Sequence, residues 1–328
     1  MGSSENLLLQ IGEFEAVYSA AGGARVTAVD GVRLDIHSGE VVGVLGESGC
    51  GKSTLANAIL RLLPPYARQE RGSIFLRGRD LLRASEPELR ALRGRDVSLI
   101  PQDPALSLNP LMNVGLQIAE VLRAHLSLRA TERRARVIEL LREVGFDRPE
   151  DIYGAYPHQL SGGQRQRIAI SQAIACRPSL LIADEPTSKL DAPLQTEIIG
   201  LLRQIRHSHG MAILMISHEP ASLAGFADRI AVMYAGRIVE VGNTHDILRR
   251  PLHPYTQALI RLATSATDAT APKHFPAIEG ESPDPTAFRV GCRFEARCPD
   301  RMEICARRYP QEFLPEPSRP VNCFKYGE

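Results

Sequence analysis

The sequence predicts an α/β fold. Three short apolar runs, residues 41–45, 180–183 and 212–216, have the composition of buried parallel strands. The first run is followed by a glycine-rich loop and a helical pattern, and each of the other two is preceded by a helix-like segment. Because apolar strands that alternate with helices are typical of a parallel sheet covered by helices, these runs predict such a sheet.

The composition is that of a globular protein with a large core. The 328 residues are 44% hydrophobic and 23% charged, enough for one large α/β unit with an appended module. The 39 Lys and Arg residues exceed the 38 Asp and Glu residues by only one, so we expect no nucleic-acid partner. Since no 18 apolar residues run together and the first ten residues lack a basic leader, we expect a cytosolic protein that reaches the membrane through a partner.

The hydrophobic periodicity divides the chain into three parts. Residues 1–85 and 161–250 show the strand and helix patterns of the α/β core, whereas residues 86–160 are mainly helical in pattern. Residues 251–328 form a C-terminal extension, and the Ala-, Thr-, Pro-, Ser- and Asp-rich stretch 263–285 predicts a linker or a surface loop. The dipeptide Ala235-Gly236 predicts a two-residue hairpin turn.

A phosphate-binding loop is predicted directly after the first apolar run. The pattern G-x-x-x-x-G-K-S is matched by Gly46, Glu47, Ser48, Gly49, Cys50, Gly51, Lys52 and Ser53. Glycines allow backbone N–H groups to surround phosphates at a helix N-terminus. We therefore expect Lys52 to contact the β and γ phosphates of ATP and Ser53 to bind Mg²⁺; the alternative is a simple strand-to-helix turn.

Two adjacent carboxylates end the second apolar run. Asp184 and Glu185 follow residues 180–183, and the carboxyl ends of parallel strands are where α/β sheets bind ligands. We expect Asp184 to hold Mg²⁺ through water and Glu185 to act as the general base toward the attacking water. The alternative is a solvated acidic turn.

A second anion site is predicted at residues 160–164, LSGGQ. Ser161 and Gln164 form a capping box that opens a helix over residues 165–175, while Gly162 and Gly163 leave N–H groups free of side chains. Because the chain already has one phosphate loop, this second site is explained best if it serves a γ-phosphate held by another copy or subunit. The alternative is an ordinary capped helix start.

The phosphate loop, the LSGGQ segment and the Asp-Glu strand occur in the order of an ABC-type nucleotide-binding domain, which residues 7–242 resemble. The resemblance implies a RecA-like phosphate-loop ATPase core with an antiparallel β subdomain and a helical insertion. It also implies further nucleotide or magnesium contacts and catalytic groups: Tyr18 against adenine, Thr54 after the phosphate loop, Gln102 in the Q-loop, Asp191 in the D-loop and His218 toward the γ-phosphate. Taken singly, Tyr18 is also compatible with a core aromatic and His218 with a strand-end histidine.

Three further segments resemble the ATP-binding subunits of dipeptide, oligopeptide and nickel importers: residues 101–104 (PQDP), 107–110 (SLNP) and 253–256 (HPYT). The resemblance implies an ATPase on the cytoplasmic face of the membrane, with a second ABC ATPase subunit, two permease subunits and an extracytoplasmic solute-binding protein. Lys189 departs from the Ala common in this family, as Glu219-Pro220 departs from Asp-Leu. We hypothesise that Lys189 lies near the subunit interface and selects the partner ATPase.

Four cysteines fall in the C-terminal extension: Cys292, Cys298, Cys305 and Cys323. They resemble the Cys-rich tail of the same family, which is associated with a [4Fe–4S] cluster. Four thiolates can complete a cubane cluster, and the absence of a C-x-x-C pair disfavours a zinc ribbon. Zinc and free structural thiols remain alternatives, whereas Cys50 and Cys176 are expected to be a loop residue and a core residue.

A different functional class is an ABC ATPase that acts as a mechanical clamp on ribosomes or DNA. A tandem second domain, a long coiled-coil insertion and a basic patch, which would indicate such a clamp, are missing from the sequence. A further possibility is that the cysteine tail senses redox state or iron and gates transport. The transported solute stays open among dipeptides, longer peptides, nickel complexes and oligosaccharides.

Overall fold

The structure is a computed structural model that describes residues 6–19, 23–267, 278–281, 283 and 290–327. The chain forms two compact units. The first includes His37–Glu40 and Arg83–Ile216, and the second includes Leu9–Ile36, Val41–Leu82 and Ser217–Glu328. Among the described residues, no helix combines the length and the apolar character that crossing a membrane requires.

The strands and helices alternate along most of the chain. In chain order the strands are β1 Leu7–Ser19, β2 Arg25–His37, β3 Val41–Leu45, β4 Ala67–Leu76, β5 Arg79–Asp80, β6 Val97–Ile100, β7 Leu180–Asp184, β8 Ala212–Ser217, β9 Arg229–Tyr234, β10 Arg237–Asn243, β11 Phe313–Glu316 and β12 Arg319–Val321. The helices are α1 Lys52–Ile59, α2 Glu86–Leu92, α3 Pro104–Ser107, α4 Val114–His125, α5 Ala130–Glu143, α6 Pro149–Tyr153, α7 Gly162–Ile174, α8 Ala192–His209, α9 Pro220–Leu223, α10 Thr244–Arg249, α11 Pro254–Thr267 and α12 Glu303–Arg307.

The first unit contains a parallel β arrangement and a group of helices. Strand β7 pairs in parallel with β6 on one side and β8 on the other, and every residue of β7 and β8 is buried. This burial explains why both strands read as continuous apolar runs. Helix α5 buries Val137, Leu140 and Leu141, as its three- and four-residue spacing predicts. The range predicted to be mainly helical, 86–160, also contains strand β6.

The second unit contains two groups of strands. Strands β2, β1, β4 and β5 form a sheet in that order, with β4 antiparallel to both β1 and β5. In the other group, β3 pairs in parallel with β9, and β9, β10, β12 and β11 pair successively antiparallel. The predicted hairpin turn is confirmed: Ala235 and Gly236 join β9 to β10, both with positive φ (46° and 86°), as a type I′ turn requires.

The C-terminal part of the second unit continues from α11 into a compact segment. Helix α11 reaches Thr267, beyond the predicted start of the linker, and most of the remaining linker lies outside the described residues. The compact segment, residues 290–327, contains short 3₁₀ turns at Glu295–Arg297 and Phe324–Tyr326 in addition to α12, β11 and β12. Its strand β12, which lies between β11 and β10, pairs with β10, so the segment packs as part of the second unit.

Candidate functional site

The phosphate loop connects β3 to α1 in the second unit, as the sequence predicts. Two of its glycines are required by close backbone contacts. A Cβ on Gly46 would lie 2.2 Å from the carbonyl oxygen of Met233, and a Cβ on Gly51, whose φ is +108°, would lie 2.1 Å from that of Ala28. Larger residues would therefore displace the loop from the adjoining backbone.

The lysine of this loop points back over it. Lys52 is 4% exposed, and its Nζ donates hydrogen bonds to the carbonyl oxygens of Gly46 (2.8 Å) and Glu47 (2.9 Å). Ser53 is the second residue of α1, so its hydroxyl lies in the first turn of a helix whose N–H groups face the loop. A buried ammonium at the N-terminus of a helix provides the electrostatics of a phosphate site.

Tyr18, the aromatic residue predicted to face adenine, contacts helix α1, which follows the phosphate loop. The hydroxyl oxygen of Tyr18, near the end of β1, lies 3.1 Å from Oγ1 of Thr54 in α1. The ring centroid of Tyr18 lies 5.9 Å from that of Tyr66, whose side chain is 60% exposed. Tyr66, which sequence reasoning missed, provides a second aromatic surface beside Tyr18.

Within the first unit, the two carboxylates at the end of β7 are buried. Asp184 is 7% exposed and Glu185 is 8% exposed. Glu185 has φ +46°, a conformation that non-glycine residues rarely adopt, and its N–H donates to the carbonyl oxygen of Ile216 (3.0 Å). Gln102 Nε2 donates to Glu185 Oε2 over 3.2 Å, so two residues predicted separately are brought together by the fold.

The capping box at the start of α7 is confirmed. Ser161 Oγ accepts a hydrogen bond from the N–H of Gln164 (3.2 Å), and the Gln164 side chain accepts one from the N–H of Ser161 (2.9 Å). The helix starts at Gly162, three residues earlier than predicted. Ser161 and Gly162 are exposed and Gly163 is buried, so the helix N-terminus is accessible from solvent in this chain.

Asp191 and Lys189 have local partners in the first unit. The Asp191 side chain caps α8 by accepting the N–H of Leu194 (3.2 Å). Lys189 Nζ donates to the carboxylate of Asp103, the residue after Gln102, and this hydrogen bond lowers the pKa of Asp103. Lys189 therefore links the loop after β7 to the segment that carries Gln102 within one chain, and its role at a subunit interface stays a prediction.

His218 directly follows β8 and belongs to the second unit. Its side chain is 37% exposed, and its Nε2 lies 3.7 Å from a carboxylate oxygen of Glu219. The neighbouring Ser217 carbonyl oxygen accepts the N–H of Gly46 (3.4 Å), so the end of β8 is joined to the start of the phosphate loop.

The C-terminal part of the chain makes two contacts to Glu47 that sequence reasoning missed. The Tyr255 hydroxyl accepts the backbone N–H of Glu47 (2.9 Å), and Arg297 forms a bidentate ion pair with the Glu47 carboxylate (2.9 and 3.1 Å). Tyr255 belongs to the HPYT segment, which was singled out only through a family resemblance. No local pattern marks Arg297, because its partner lies 250 positions away.

The four C-terminal cysteines line one small cavity in the second unit, together with apolar residues such as Phe294 and Pro310. The N–H of Cys292 donates to the carbonyl oxygen of Cys305 (2.7 Å). Burial raises the pKa of Cys292 to about 12 and that of Cys298 to about 11. In the part of the chain that the structure describes, no three His, Cys, Asp or Glu side chains are grouped as ligands of a single metal ion.

Comparisons with known proteins agree with this arrangement. Residues 29–188 match the family model described as ABC transporter, and residues 239–305 match the model described as oligopeptide/dipeptide transporter, C-terminal region. The dipeptide transport ATP-binding protein DppD of Bacillus subtilis is 42% identical over 307 residues, covering 92% of this chain and 90% of the relative. The oligopeptide transport ATP-binding protein OppD of Salmonella typhimurium is 39% identical over 320 residues, covering 98% and 94%.

Among solved structures, the ATP-binding cassette MJ0796, a dimer in a post-hydrolysis state bound to ADP and Pi, matches with a TM-score of 0.65 and 27% identity. The match covers 72% of this chain and 99% of that one. The RecA-like α/β core is thereby supported, whereas a clamp acting on ribosomes or DNA finds no support among these transport proteins. The chain belongs to the ABC transporter family, in the group that contains the ATP-binding proteins of dipeptide and oligopeptide transporters.

Proposed function

We propose that this chain binds and hydrolyses ATP to power the uptake of peptides through partner permease subunits at the cytoplasmic face of the membrane. The observation that carries the proposal is the phosphate loop, with buried Lys52 held over its carbonyls at the N-terminus of α1. The peptide class follows from relatives named as dipeptide and oligopeptide transport ATP-binding proteins, which match over nearly the whole chain.

We assign the hydrolytic roles as follows. Lys52 and the loop N–H groups would hold the β and γ phosphates, while Ser53, Gln102 and, through water, Asp184 would hold Mg²⁺, which would neutralise phosphate charge. Glu185 positions and deprotonates the attacking water, and His218 contacts the γ-phosphate. The 3.2 Å hydrogen bond from Gln102 to Glu185 supports this assignment, because it allows the Q-loop residue to orient the base.

The assembly that we propose pairs this chain with a second ABC ATPase subunit, two permease subunits and an extracytoplasmic solute-binding protein. Each phosphate loop would then be opposed by the partner's counterpart of Ser161, Gly162, Gly163 and Gln164. The exposed, capped N-terminus of α7 supports this pairing, since its N–H groups can receive an anion from outside the chain. Nearby Asp191 would complete the nucleotide contacts at the same interface.

A substitution tests the role of Glu185 as the base. Glu185→Gln keeps the size and the hydrogen bonding of the side chain but removes its basicity, so we expect normal ATP binding and turnover lowered by about 10²-fold or more. Exposed Glu139 in α5 provides the matched control, Glu139→Gln, which should hydrolyse ATP at the normal rate. Hydrolysis by Glu185→Gln at near-normal rates would refute the assignment.

We further propose that Cys292, Cys298, Cys305 and Cys323 hold a [4Fe–4S] cluster. Their shared cavity and its apolar lining support a four-thiolate site. In such a site each cysteine would bind a different iron. Burial raises the pKa of Cys292 and Cys298, and bound iron would favour their thiolates.

Anaerobic purification tests the cluster. We expect a brown protein with about four iron atoms per chain, iron lost in Cys298→Ser, and iron retained in the control Cys176→Ser, because Cys176 belongs to the first unit. A colourless, iron-free protein obtained under strict anaerobiosis would remove the proposal. Zinc in place of iron would favour the alternative considered above.

A further inference from the structure

We propose that Arg297 is a positioning residue for the phosphate loop: it neutralises Glu47 and holds the loop, and so makes ATP affinity depend on the cysteine-bearing segment that carries it. The first half of this inference needs only ATP binding. The second half rests on the proposed iron–sulfur function.

Arg297 is nearly sealed from solvent, with a side chain that is 5% exposed, whereas that of Glu47 is 26% exposed. All five guanidinium N–H groups have acceptors. The acceptors are both Glu47 carboxylate oxygens, the Tyr234 hydroxyl and the carbonyl oxygens of Ile278 and Glu279. Because all of its N–H groups are hydrogen-bonded, the Arg297 guanidinium is fixed in place, and it therefore fixes the position of the Glu47 carboxylate to which it is paired.

Glu47 follows the first glycine of the phosphate loop, so its carboxylate adds a negative charge to a loop proposed to bind a polyphosphate. Left unneutralised, it would repel the ligand. Fixing Glu47 also helps to position Lys52, the residue proposed to bind phosphate, because the Glu47 carbonyl oxygen accepts a hydrogen bond from Lys52 Nζ (2.9 Å). With Tyr255 holding its N–H and Arg297 its side chain, Glu47 is held by the C-terminal part of the chain at two points.

Arg297 lies between two of the cysteines and directly precedes Cys298. In this turn the N–H of Glu295 donates to the carbonyl oxygen of Cys292 (3.1 Å), and the N–H of Cys298 donates to that of Glu295 (3.2 Å). Phe294 in the same turn packs edge-on against Tyr234 (5.2 Å) and Tyr255 (5.5 Å). A change in the positions of Cys292 and Cys298 would therefore displace the turn that carries Arg297 and Phe294. Arg297 contacts Glu47 directly, and Phe294 contacts Tyr255, whose hydroxyl accepts the Glu47 N–H.

A double-mutant cycle tests the first half. Arg297→Met should weaken ATP binding about tenfold when Glu47 is present, because it leaves an unneutralised negative charge in the loop that is proposed to surround the phosphates. In the Glu47→Gln background the same substitution should weaken ATP binding by less than about threefold, since no charge is left to neutralise. We expect KM for ATP to rise while kcat changes little. Arg307→Met, on an exposed side chain of the same segment, is the control that should bind ATP normally.

Two outcomes overturn the proposal: an equal loss in both backgrounds, or no loss at all. If Arg297→Met does not fold, Arg297→Lys replaces it in the same cycle. The lysine ammonium keeps the charge but cannot form the bidentate pair, so affinity for ATP should fall about threefold when Glu47 is present and remain unchanged in the Glu47→Gln background.

Removal of iron tests the second half. Chelation of iron should weaken ATP binding, measured by calorimetry, in the wild-type protein. It should have no such effect in the Arg297→Met variant, which has already lost the ion pair with Glu47. Equal weakening in both proteins, or none in the wild type, overturns the dependence on the cysteine segment. A chain that never contains iron refutes the proposed cluster and with it this second half, while the Arg297–Glu47 cycle still decides the first.

Discussion

The ion pair between Glu240 and Arg319 gives the sharpest stability prediction. Glu240 on β10 is fully buried, and Arg319 on β12 is 2% exposed. Arg319 Nη2 lies 3.2 Å from a Glu240 carboxylate oxygen, and Nη1 lies 2.7 Å from the partly exposed Glu316. The N–H groups of Leu252 and His253 also donate to Glu240, each over 2.9 Å.

Arg319→Met removes the cation and leaves a buried carboxylate with only these two backbone donors. Loss of one partner of a buried pair costs about 3–5 kcal/mol, and the two remaining donors favour the lower end, about 3 kcal/mol. Thermal unfolding should then shift downward by roughly 6–12 °C. The control Glu316→Gln breaks the pairs that the partly exposed Glu316 makes with Arg319 and Arg250, leaves the buried Glu240 pair in place, and should cost less than about 1 kcal/mol.

Urea unfolding followed by circular dichroism measures both variants. In Glu240→Gln the neutral amide oxygen still accepts backbone N–H groups, so the double variant with Arg319→Met should recover about 2 kcal/mol relative to Arg319→Met alone. An Arg319→Met variant as stable as Glu316→Gln, or a double variant that recovers nothing, would show that the buried Glu240–Arg319 pair does not stabilise the fold.

Three further predictions concern Cys50 of the phosphate loop, Lys189 and His218. Burial raises the pKa of Cys50, so at pH 8 its thiolate fraction is below that of an ordinary cysteine. Alkylation of Cys50 should therefore be about tenfold slower than in urea-unfolded protein and should become faster as the pH rises, whereas equal rates in folded and unfolded protein would contradict its burial. Lys189→Glu places like charges beside Asp103 and should weaken pairing with the second ATPase in gel filtration, and unchanged pairing would reject the interface role. His218→Ala should bind ATP but hydrolyse it at least about 10²-fold more slowly, and single-turnover rates close to wild type would exclude the γ-phosphate role.

The sequence by itself determined the features that depend on neighbouring residues. The phosphate loop, the Ser161–Gln164 capping box and the Ala235-Gly236 hairpin were predictable because each is set by side chains and backbone conformations within a few positions. The buried strands β7 and β8 were predictable as well, since complete burial imposes a continuous apolar run.

Only the tertiary structure decided which distant charges meet. Arg297 and Glu47 are 250 positions apart, Lys189 and Asp103 are 86 apart, and Arg319 and Glu240 are 79 apart. In the sequence each of these residues resembles the many charged residues that face solvent. Their partners are set by the strand and turn packing that brings two segments together, and burial then makes the pairing obligatory for Arg319 with Glu240 and for Arg297 with Glu47, because an isolated buried charge is too costly.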